Sequence, residues 1–266
     1  MTSSGVGAYG FILNGLADAH AWLNRAPDSW PPVDVTQEIG EPADRTRVGE
    51  ESAEVVLPGR RSIVVRREPA AVRFIGDDEL QPELLVHPYL APAASVLAQW
   101  QGWVPLHAGA FVVDGGAWLV LGERGSGKST TLAALSAAGF PVLADDLTVL
   151  RDNLVLAGPR SVDLRDERGY SSTDLGKVGE RHRWRVRLPD VALETPVAGA
   201  VQLSWSDKPG LRRLTAPERS QALGSALSMS VDGQLFLQTM AIPVHSLSRP
   251  HGHVEDTIGL LREVTE

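Results

Sequence analysis

The sequence contains no cysteine among its 266 residues. Disulfide bonds and thiolate metal sites are therefore excluded, and any nucleophilic chemistry must use oxygen or nitrogen atoms. The absence of disulfides also fits a reducing compartment. With 43% hydrophobic residues, the chain can bury one large core, or one core and a smaller appended one, so we expect a soluble protein of one or two domains.

Long apolar runs and an excess of positive charge are also missing. Charge, histidine or proline interrupts every apolar stretch well short of a membrane span, and MTSSGVGAYG lacks the basic start and apolar run of a signal peptide. The formal net charge is -8, which argues against nucleic acid or an anionic membrane as the main partner. We therefore expect a cytoplasmic protein, and small acidic or peptide ligands are candidates.

The first 80 residues predict a small β-rich N-terminal subdomain. Their start looks irregular, with a short amphipathic piece over residues 11–23 and a proline- and acid-rich segment over residues 26–54. Three runs rich in valine and isoleucine follow, AEVVLPG, RSIVVRRE and AAVRFIG, and Pro-Gly and Glu-Pro turns divide them. We expect a small antiparallel β unit in residues 1–80, followed by a second domain over residues 81–266.

The rest of the chain alternates helical and strand patterns. Residues 82–101 predict a short piece and a longer packing helix, separated by prolines. AFVVDGG and AWLVLG predict a hairpin, residues 130–138 a helix with a glycine cap, and PVLADDLTVL the next strand. Residues 158–190 show little apolar periodicity and predict a long, partly mobile loop. VAGAVQLSW predicts a strand, and PERSQALGSALSM and HVEDTIGLLREV predict helices.

The stretch GERGSGKST, residues 122–130, matches the phosphate-loop pattern G-x-x-x-x-G-K-[ST], with a strand before it and a helix after it. Its glycines let backbone N–H groups point at phosphate oxygens, and the start of the helix adds partial positive charge. Lys128 can reach the β and γ phosphates, and the Ser129 hydroxyl can ligate Mg2+. No motif separates ATP from GTP or pyrophosphate, and we expect ATP. The predicted nucleotide-binding residues are Gly122, Glu123, Arg124, Gly125, Ser126, Gly127, Lys128, Ser129 and Thr130.

Two aspartates, Asp145 and Asp146, end the strand after the helix of the loop. A strand-helix-strand crossover returns this strand end to the sheet edge that carries the loop, so carboxylate and phosphate should meet there. Neighbouring side chains of an extended strand point to opposite faces, so one aspartate can hold Mg2+ while the other accepts a proton from a hydroxyl. Alone, the pair would fit a solvated turn; beside the loop we predict Asp145, Asp146 and Lys128 as catalytic, and Ser129 and Asp145 as metal ligands.

Further residues have two interpretations each. His107 is either structural, as a lone histidine usually is, or a proton carrier. Arg124 either faces solvent or meets an anionic group of the acceptor. RHRWRVR, residues 181–187, is either a solvated loop or a lid over a triphosphate or an anionic acceptor. HGH at residues 251–253 suggests a metal, but the sequence offers no third ligand.

The stretch HAGAFVVDGGAWLVLGERGSGKSTTLAALSAAGFPVLADDLTVL resembles the core of the HPr kinase/phosphorylase family, and especially its shorter relatives. The shared layout is a histidine in an H-x-G setting, a strand, the phosphate loop, a helix ending near glycine, and an Ala-Asp-Asp strand end. The resemblance, close over residues 104–150, implies an α/β fold with a phosphate-loop kinase core of the phosphoenolpyruvate-carboxykinase-like type. It also implies serine kinase activity and gives His107 more weight as a catalytic residue.

The sequence departs from the full-length family at a second signature, E-I-R-G-L-G-I, which is associated with dephosphorylation and with the substrate HPr. Here that region reads SVDLRDERGYSS. Shorter relatives without the signature resemble kinases that act on a serine of a lasso peptide precursor, so the resemblance favours a serine-bearing peptide or small protein as acceptor. A kinase for free serine or another alcohol, and a non-catalytic nucleotide-binding regulator, stay as alternatives. The family also suggests a homo-oligomer, although no coiled-coil pattern is present.

Overall fold

The computed structural model describes residues 5–251 and 254–265, and these ranges have a mixed α/β architecture. The described residues contain three β-sheets, of eight, nine and three strands. Residues 6–76 form the first sheet alone, and the phosphate-loop stretch directly follows a strand of the second. Over the described ranges, no helix combines the length and the apolar character that a bilayer crossing requires.

The first sheet has the strand order β3-β1-β2-β4-β8-β7-β6-β5. It is larger than the antiparallel unit expected from the sequence, and two of its pairings, β2 with β4 and β4 with β8, are parallel. The strands are β1 Val6–Ala8, β2 Phe11–Asn14, β3 Asn24–Arg25, β4 Pro32–Ile39, β5 Arg47–Val48, β6 Ser52–Leu57, β7 Arg61–Arg66 and β8 Ala71–Gly76. The irregular structure predicted for residues 11–54 is therefore wrong, because β2 and β4 lie there and alternate buried and exposed side chains.

A broken helical segment joins the first sheet to the second. It consists of α1 (Pro82–Leu84), a π-helical turn (Leu85–Tyr89) and α2 (Leu90–Trp100). The break predicted from the prolines is confirmed: His87 has extended dihedral angles (φ -148°, ψ 127°), as the residue before a proline usually does. Pro92 is accommodated in the first turn of α2. The predicted domain boundary at residue 80 falls between β8 and α1, and apolar residues from both sides of it share one hydrophobic cluster.

The second sheet carries the strand that leads into the phosphate-loop stretch. Its main order is β12-β10-β11-β18-β14-β13-β9, with β20 beside β18 and β19 beside β20. The predicted hairpin is confirmed as β10 and β11. The strands are β9 Val104–Leu106, β10 Gly109–Val113, β11 Gly116–Leu121, β12 Val142–Ala144, β13 Thr148–Arg151, β14 Leu154–Leu156, β18 Glu194–Trp205, β19 Gly210–Arg213 and β20 Val244–Arg249.

Both faces of the second sheet are covered. Along β11, Trp118 and Val120 pack in the cluster that contains Leu132 of α3 (Lys128–Ala137). Leu119 and Leu121 pack on the other face, in the cluster that contains Leu223. A strand buried on both faces needs apolar side chains throughout, which explains the unbroken AWLVL run. The remaining helices are α4 Ala216–Ala226, α5 Gly233–Thr239 and α6 Val254–Thr265.

Two of the predictions for this region need correction. PVLADDLTVL is not one strand: β12 ends at Ala144, and β13 starts at Thr148, because Asp146 has a left-handed backbone (φ +63°) that a strand cannot contain. Residues 158–190 are not a loop either. They contain the third sheet, ordered β15-β17-β16, whose strands are β15 Ser161–Leu164, β16 Ser172–Val178 and β17 Arg181–Arg187.

Candidate active site

A cavity of about 970 Å³ lies where the three sheets approach one another. One part of its wall is the phosphate-loop stretch, from Arg124 to Thr130 with Ser126 excepted. A second part is apolar and includes Val48, Val55, Val96 and Met229; a third part is basic and includes Arg165, Arg168, Arg181 and Arg183. The cavity therefore combines an anion-binding element with apolar and cationic surfaces.

The phosphate-loop stretch joins β11 to α3 through three glycines with positive φ angles, namely Gly122, Gly125 and Gly127. Side chains from distant elements bind its carbonyl groups. Trp205 donates from Nε1 to the Gly125 carbonyl at 2.9 Å, and Arg249 donates from Nη2 to the Ser126 carbonyl at 2.8 Å. These hydrogen bonds tie the shape of the loop to β18 and β20.

Arg249 is buried beside the loop, with 1% of its surface exposed. Its guanidinium carbon lies 4.6 Å from the centre of the Trp205 ring, and on Trp205 the His251 ring stacks at 4.0 Å between centroids. Burial lowers the pKa of Arg249 to about 10, which leaves it cationic at neutral pH. The sequence predicts no role for Arg249 or Trp205, because no local pattern links either residue to the loop. Of the HGH stretch, His251 is described, and residues 252 and 253 lie outside the described residues.

Lys128, the first residue of α3, is buried and bends back toward the loop. Its Nζ donates to the carbonyl groups of Gly122 at 2.7 Å and Glu123 at 3.4 Å. Burial lowers its pKa, against the opposing attraction of Asp146 and Asp145. An anion in the loop would offer this cation a stronger partner than a neutral carbonyl does.

Ser129 and Asp145 are in contact across the helix that separates them in sequence. The Ser129 hydroxyl donates to Oδ1 of Asp145 at 3.0 Å. Asp145 has 2% of its surface exposed, and burial, reinforced by the neighbouring Asp146 carboxylate, raises its pKa well above the usual range. Its other oxygen, Oδ2, is buried without a hydrogen-bond partner. The Ser129 hydroxyl and Oδ1 of Asp145 are oxygen ligands of the kind that Mg2+ requires.

Asp146 lies on the cavity wall, with 35% of its side chain exposed. The two aspartates therefore have different environments, but a left-handed turn at Asp146, and not the extended strand expected from the sequence, separates them. His107 also lines the cavity. Partial burial and the nearby Lys128 cation lower its pKa, so the neutral imidazole is favoured at neutral pH.

Some of the predicted site residues line the cavity, and others do not. The wall contains His107, Arg124 and Asp146, together with residues 125 and 127–130 of the loop. Gly122, Glu123, Ser126 and Asp145 do not line it. RHRWRVR is strand β17 and not a solvated loop, and its first three residues line the cavity.

His87 belongs to the site but was not predicted. It has 1% of its surface exposed, and its Nε2 lies 3.7 Å from Oδ2 of Asp146 and 3.7 Å from Oδ2 of Asp163. Nε2 has no hydrogen-bond partner, and burial lowers the pKa of the imidazole. A titratable residue inside the apolar stretch LLVHPYL was the available signal.

Asp163 and Tyr9 also approach this cluster. The Asp163 carboxylate accepts from Arg185 at 2.7 Å and 3.0 Å and from Arg183 at 3.3 Å. Tyr9, from the turn after β1, is fully buried; burial, with Asp146 and Asp145 next in importance, raises its pKa well above the usual range. All three sheets thus place titratable side chains around one pair of aspartates.

Comparison with models of protein families and with curated protein sequences returned no match. Among solved structures, the chain is similar to an HPr(Ser) kinase/phosphatase from Coxiella burnetii, with 17% sequence identity and a TM-score of 0.34. The alignment covers 60% of this chain and 95% of that chain. A likeness this distant does not establish membership of a family or an activity.

Proposed function

We propose that this protein is a Mg2+-dependent kinase that transfers the γ-phosphate of ATP to a serine hydroxyl of a peptide or small protein. The observation that carries the proposal is the contact between Ser129 and Asp145 beneath a glycine-rich loop, with Asp146 facing the cavity beside it. A loop that only held phosphate would not need a second carboxylate on the cavity wall. We also propose that the protein is related to the HPr-kinase-like phosphate-loop kinases, which are of the phosphoenolpyruvate-carboxykinase-like type.

The proposed roles follow from burial and contact. The loop N–H groups and Lys128 bind the β and γ phosphates, while the Ser129 hydroxyl and the Asp145 carboxylate hold Mg2+. Bound Mg2+ would neutralise charge on the phosphates. Asp146 accepts the proton of the acceptor's serine hydroxyl while the serine oxygen forms a bond to the γ phosphorus. The bond between the γ phosphorus and the bridging oxygen of the β phosphate breaks, and ADP is released. We assign His107, which lines the same cavity, a supporting catalytic role in this transfer.

The proposal also includes the domain organisation, the size of the acceptor, the cellular location and the assembly of the protein. Residues 1–80 act as a β-rich subdomain that closes one side of the cavity, and residues 81–266 as the kinase domain. The apolar and basic parts of the wall support an acceptor larger than free serine, because they extend the site beyond the loop. The protein would work in the cytoplasm without a nucleic-acid or membrane partner, as a homo-oligomer.

The test is a transfer assay with three separate donors. The protein is incubated with Mg2+ and ATP, GTP or pyrophosphate, in the presence of serine-containing peptides, free serine or a mixture of metabolite alcohols, and each acceptor is examined by mass spectrometry. We expect a phosphorylated peptide with ATP. Phosphorylated free serine without phosphorylated peptide would instead support the small-molecule kinase.

The control is Lys128→Ala, which removes the cation at the phosphates and should lower the transfer rate at least about 100-fold while the protein stays folded. Full activity in this variant would rule out the proposed site. ATP binding without transfer to any acceptor and without slow hydrolysis would support the nucleotide-binding regulator.

A further inference from the structure

The cluster around Asp145 and Asp146 has ligand atoms that the contacts described above leave unused. His87, Asp145 and Asp146 each present one ligand atom, and these three atoms lie within 4.8 Å of one another. Ligand atoms that bind one ion at about 2.1 Å lie about 3 to 4.2 Å apart. The spacing is therefore close to that of three ligands around a common ion.

Two of these residues each carry a possible ligand atom that is buried and has no hydrogen-bond partner. Nε2 of His87 and Oδ2 of Asp145 have no hydrogen-bond partner, and their residues are 1% and 2% exposed. A buried polar atom without a partner destabilises the folded state, and a bound ion would remove that cost. Nε2 also lies 3.7 Å from Oδ2 of Asp146, which is too far for a hydrogen bond but suits two ligands of one ion.

Asp163 is less suited to bind an ion than the other carboxylates near His87. Its Oδ2 is 3.7 Å from Nε2 of His87, but both of its oxygens accept hydrogen bonds from arginine side chains. Its charge is thus already paired with Arg185 and Arg183. Among the described histidine and carboxylate groups of this cluster, one imidazole nitrogen and the carboxylates of Asp145 and Asp146 are left for a further cation.

We infer that His87, Asp145 and Asp146 form a binding site for a divalent transition-metal ion, filled without nucleotide and distinct from the Mg2+ position at Ser129. An imidazole ligand favours transition metals over Mg2+, which prefers oxygen. Asp145 can serve both positions, because its Oδ1 contacts Ser129 while its Oδ2 is buried without a partner. A carboxylate has two oxygens, so Asp146 can bind the ion through Oδ2 and keep Oδ1 for the acceptor proton.

The role of this ion beside the transferred phosphate rests on the proposed function, but its binding is tested without donor or acceptor. The probe is Mn2+, whose binding to the wild-type protein is titrated by electron paramagnetic resonance in nucleotide-free buffer. We expect stoichiometric binding, weak competition by Mg2+, and modulation of the Mn2+ spin echo by an imidazole nitrogen. A spin echo without nitrogen modulation overturns the inference even if the kinase assay succeeds.

Variants identify the histidine. Two variants are used, His87→Ala and His87→Gln, in which glutamine fills more of the space of the imidazole than alanine does. Circular dichroism checks that each is folded. Both should weaken Mn2+ binding at least about tenfold and remove the nitrogen modulation. His182→Ala is the matched control, because this histidine also lines the cavity but is exposed and pairs with Asp174 at 2.6 Å. Unchanged Mn2+ binding in both folded His87 variants, or its loss in His182→Ala, would contradict the assignment.

Discussion

The Ser129 hydroxyl donates a hydrogen bond of 3.0 Å to Asp145, sixteen residues further along the chain. If these two groups hold the Mg2+ of a nucleotide, the hydroxyl is the part of Ser129 that matters. Ser129→Ala should weaken binding of the Mg2+–ATP complex about tenfold, whereas Ser129→Thr should bind it as the wild type does, because threonine keeps the hydroxyl. Isothermal titration calorimetry measures both, and equal loss in the two variants would point to side-chain packing instead.

Asp146 is expected to act in turnover and not in nucleotide binding. Asparagine tolerates the left-handed backbone of this position, so Asp146→Asn should fold normally and bind ATP while transferring phosphate about 100- to 10,000-fold more slowly. Nucleotide affinity and single-turnover transfer rates, measured on the same preparation, separate the two effects. If ATP affinity falls with the rate, Asp146 has a different role from the one assigned.

Alanine substitution at two glycines of the loop should destabilise the protein to different extents. Gly125 and Gly127 both have φ near +90°, so either substitution introduces backbone strain of about 1–2 kcal/mol. A Cβ at Gly125 meets open space, whereas one at Gly127 would lie 2.5 Å from Nη2 of Arg249 and 3.1 Å from Trp205. Gly127→Ala should therefore lose about 1–3 kcal/mol more stability than Gly125→Ala, as measured by chemical denaturation. Equal losses would show that Arg249 and Trp205 move aside freely.

The Asp163 carboxylate should make stability depend on acid pH. Burial alone would raise its pKa, but His87, Arg185 and Arg183 outweigh burial and lower it below the usual 3.8. A carboxyl whose pKa is lower in the folded state stabilises the protein above its unfolded pKa and loses that contribution as pH falls through the folded pKa. Asp163→Asn should cost about 3–5 kcal/mol at pH 7, and this difference should shrink below pH 3.8.

Denaturation curves of the wild type and Asp163→Asn between pH 7 and pH 3 test this expectation. Asp190→Asn is the matched control, because its exposed carboxylate pairs with Arg160 at the surface and should change stability by less than about 1 kcal/mol. A pH-independent difference between Asp163→Asn and the wild type would mean that the carboxylate charge is not what stabilises the fold.

The hairpin, the loop and helix α3 could be predicted because their signals are local. The Asp114-Gly115-Gly116 turn closes β10 onto β11, and Gly139 follows α3 with φ +89°. The contact of Ser129 with Asp145 was also within reach, since the crossover rule returns β12 to the loop edge.

The third sheet could not be predicted, because its buried positions are not uniformly apolar. Asp163 of β15 and Arg185 of β17 face each other in the interior and neutralise each other's charge, so the strands lack the usual apolar alternation. His87 could not be predicted as a site residue either. Its role depends on Asp146 and Asp163, which are far from it in sequence and approach it only in the folded chain.

Asp146 has a left-handed backbone at the point where β12 ends. Glycine would adopt this conformation without steric cost, and Asp146→Gly would also remove a carboxylate that repels Asp145. A chain selected for stability alone would carry glycine at this position. If Asp146 is the proton acceptor that we propose, its side chain is kept at a cost in stability, and Asp146→Gly should give a more stable protein that transfers no phosphate.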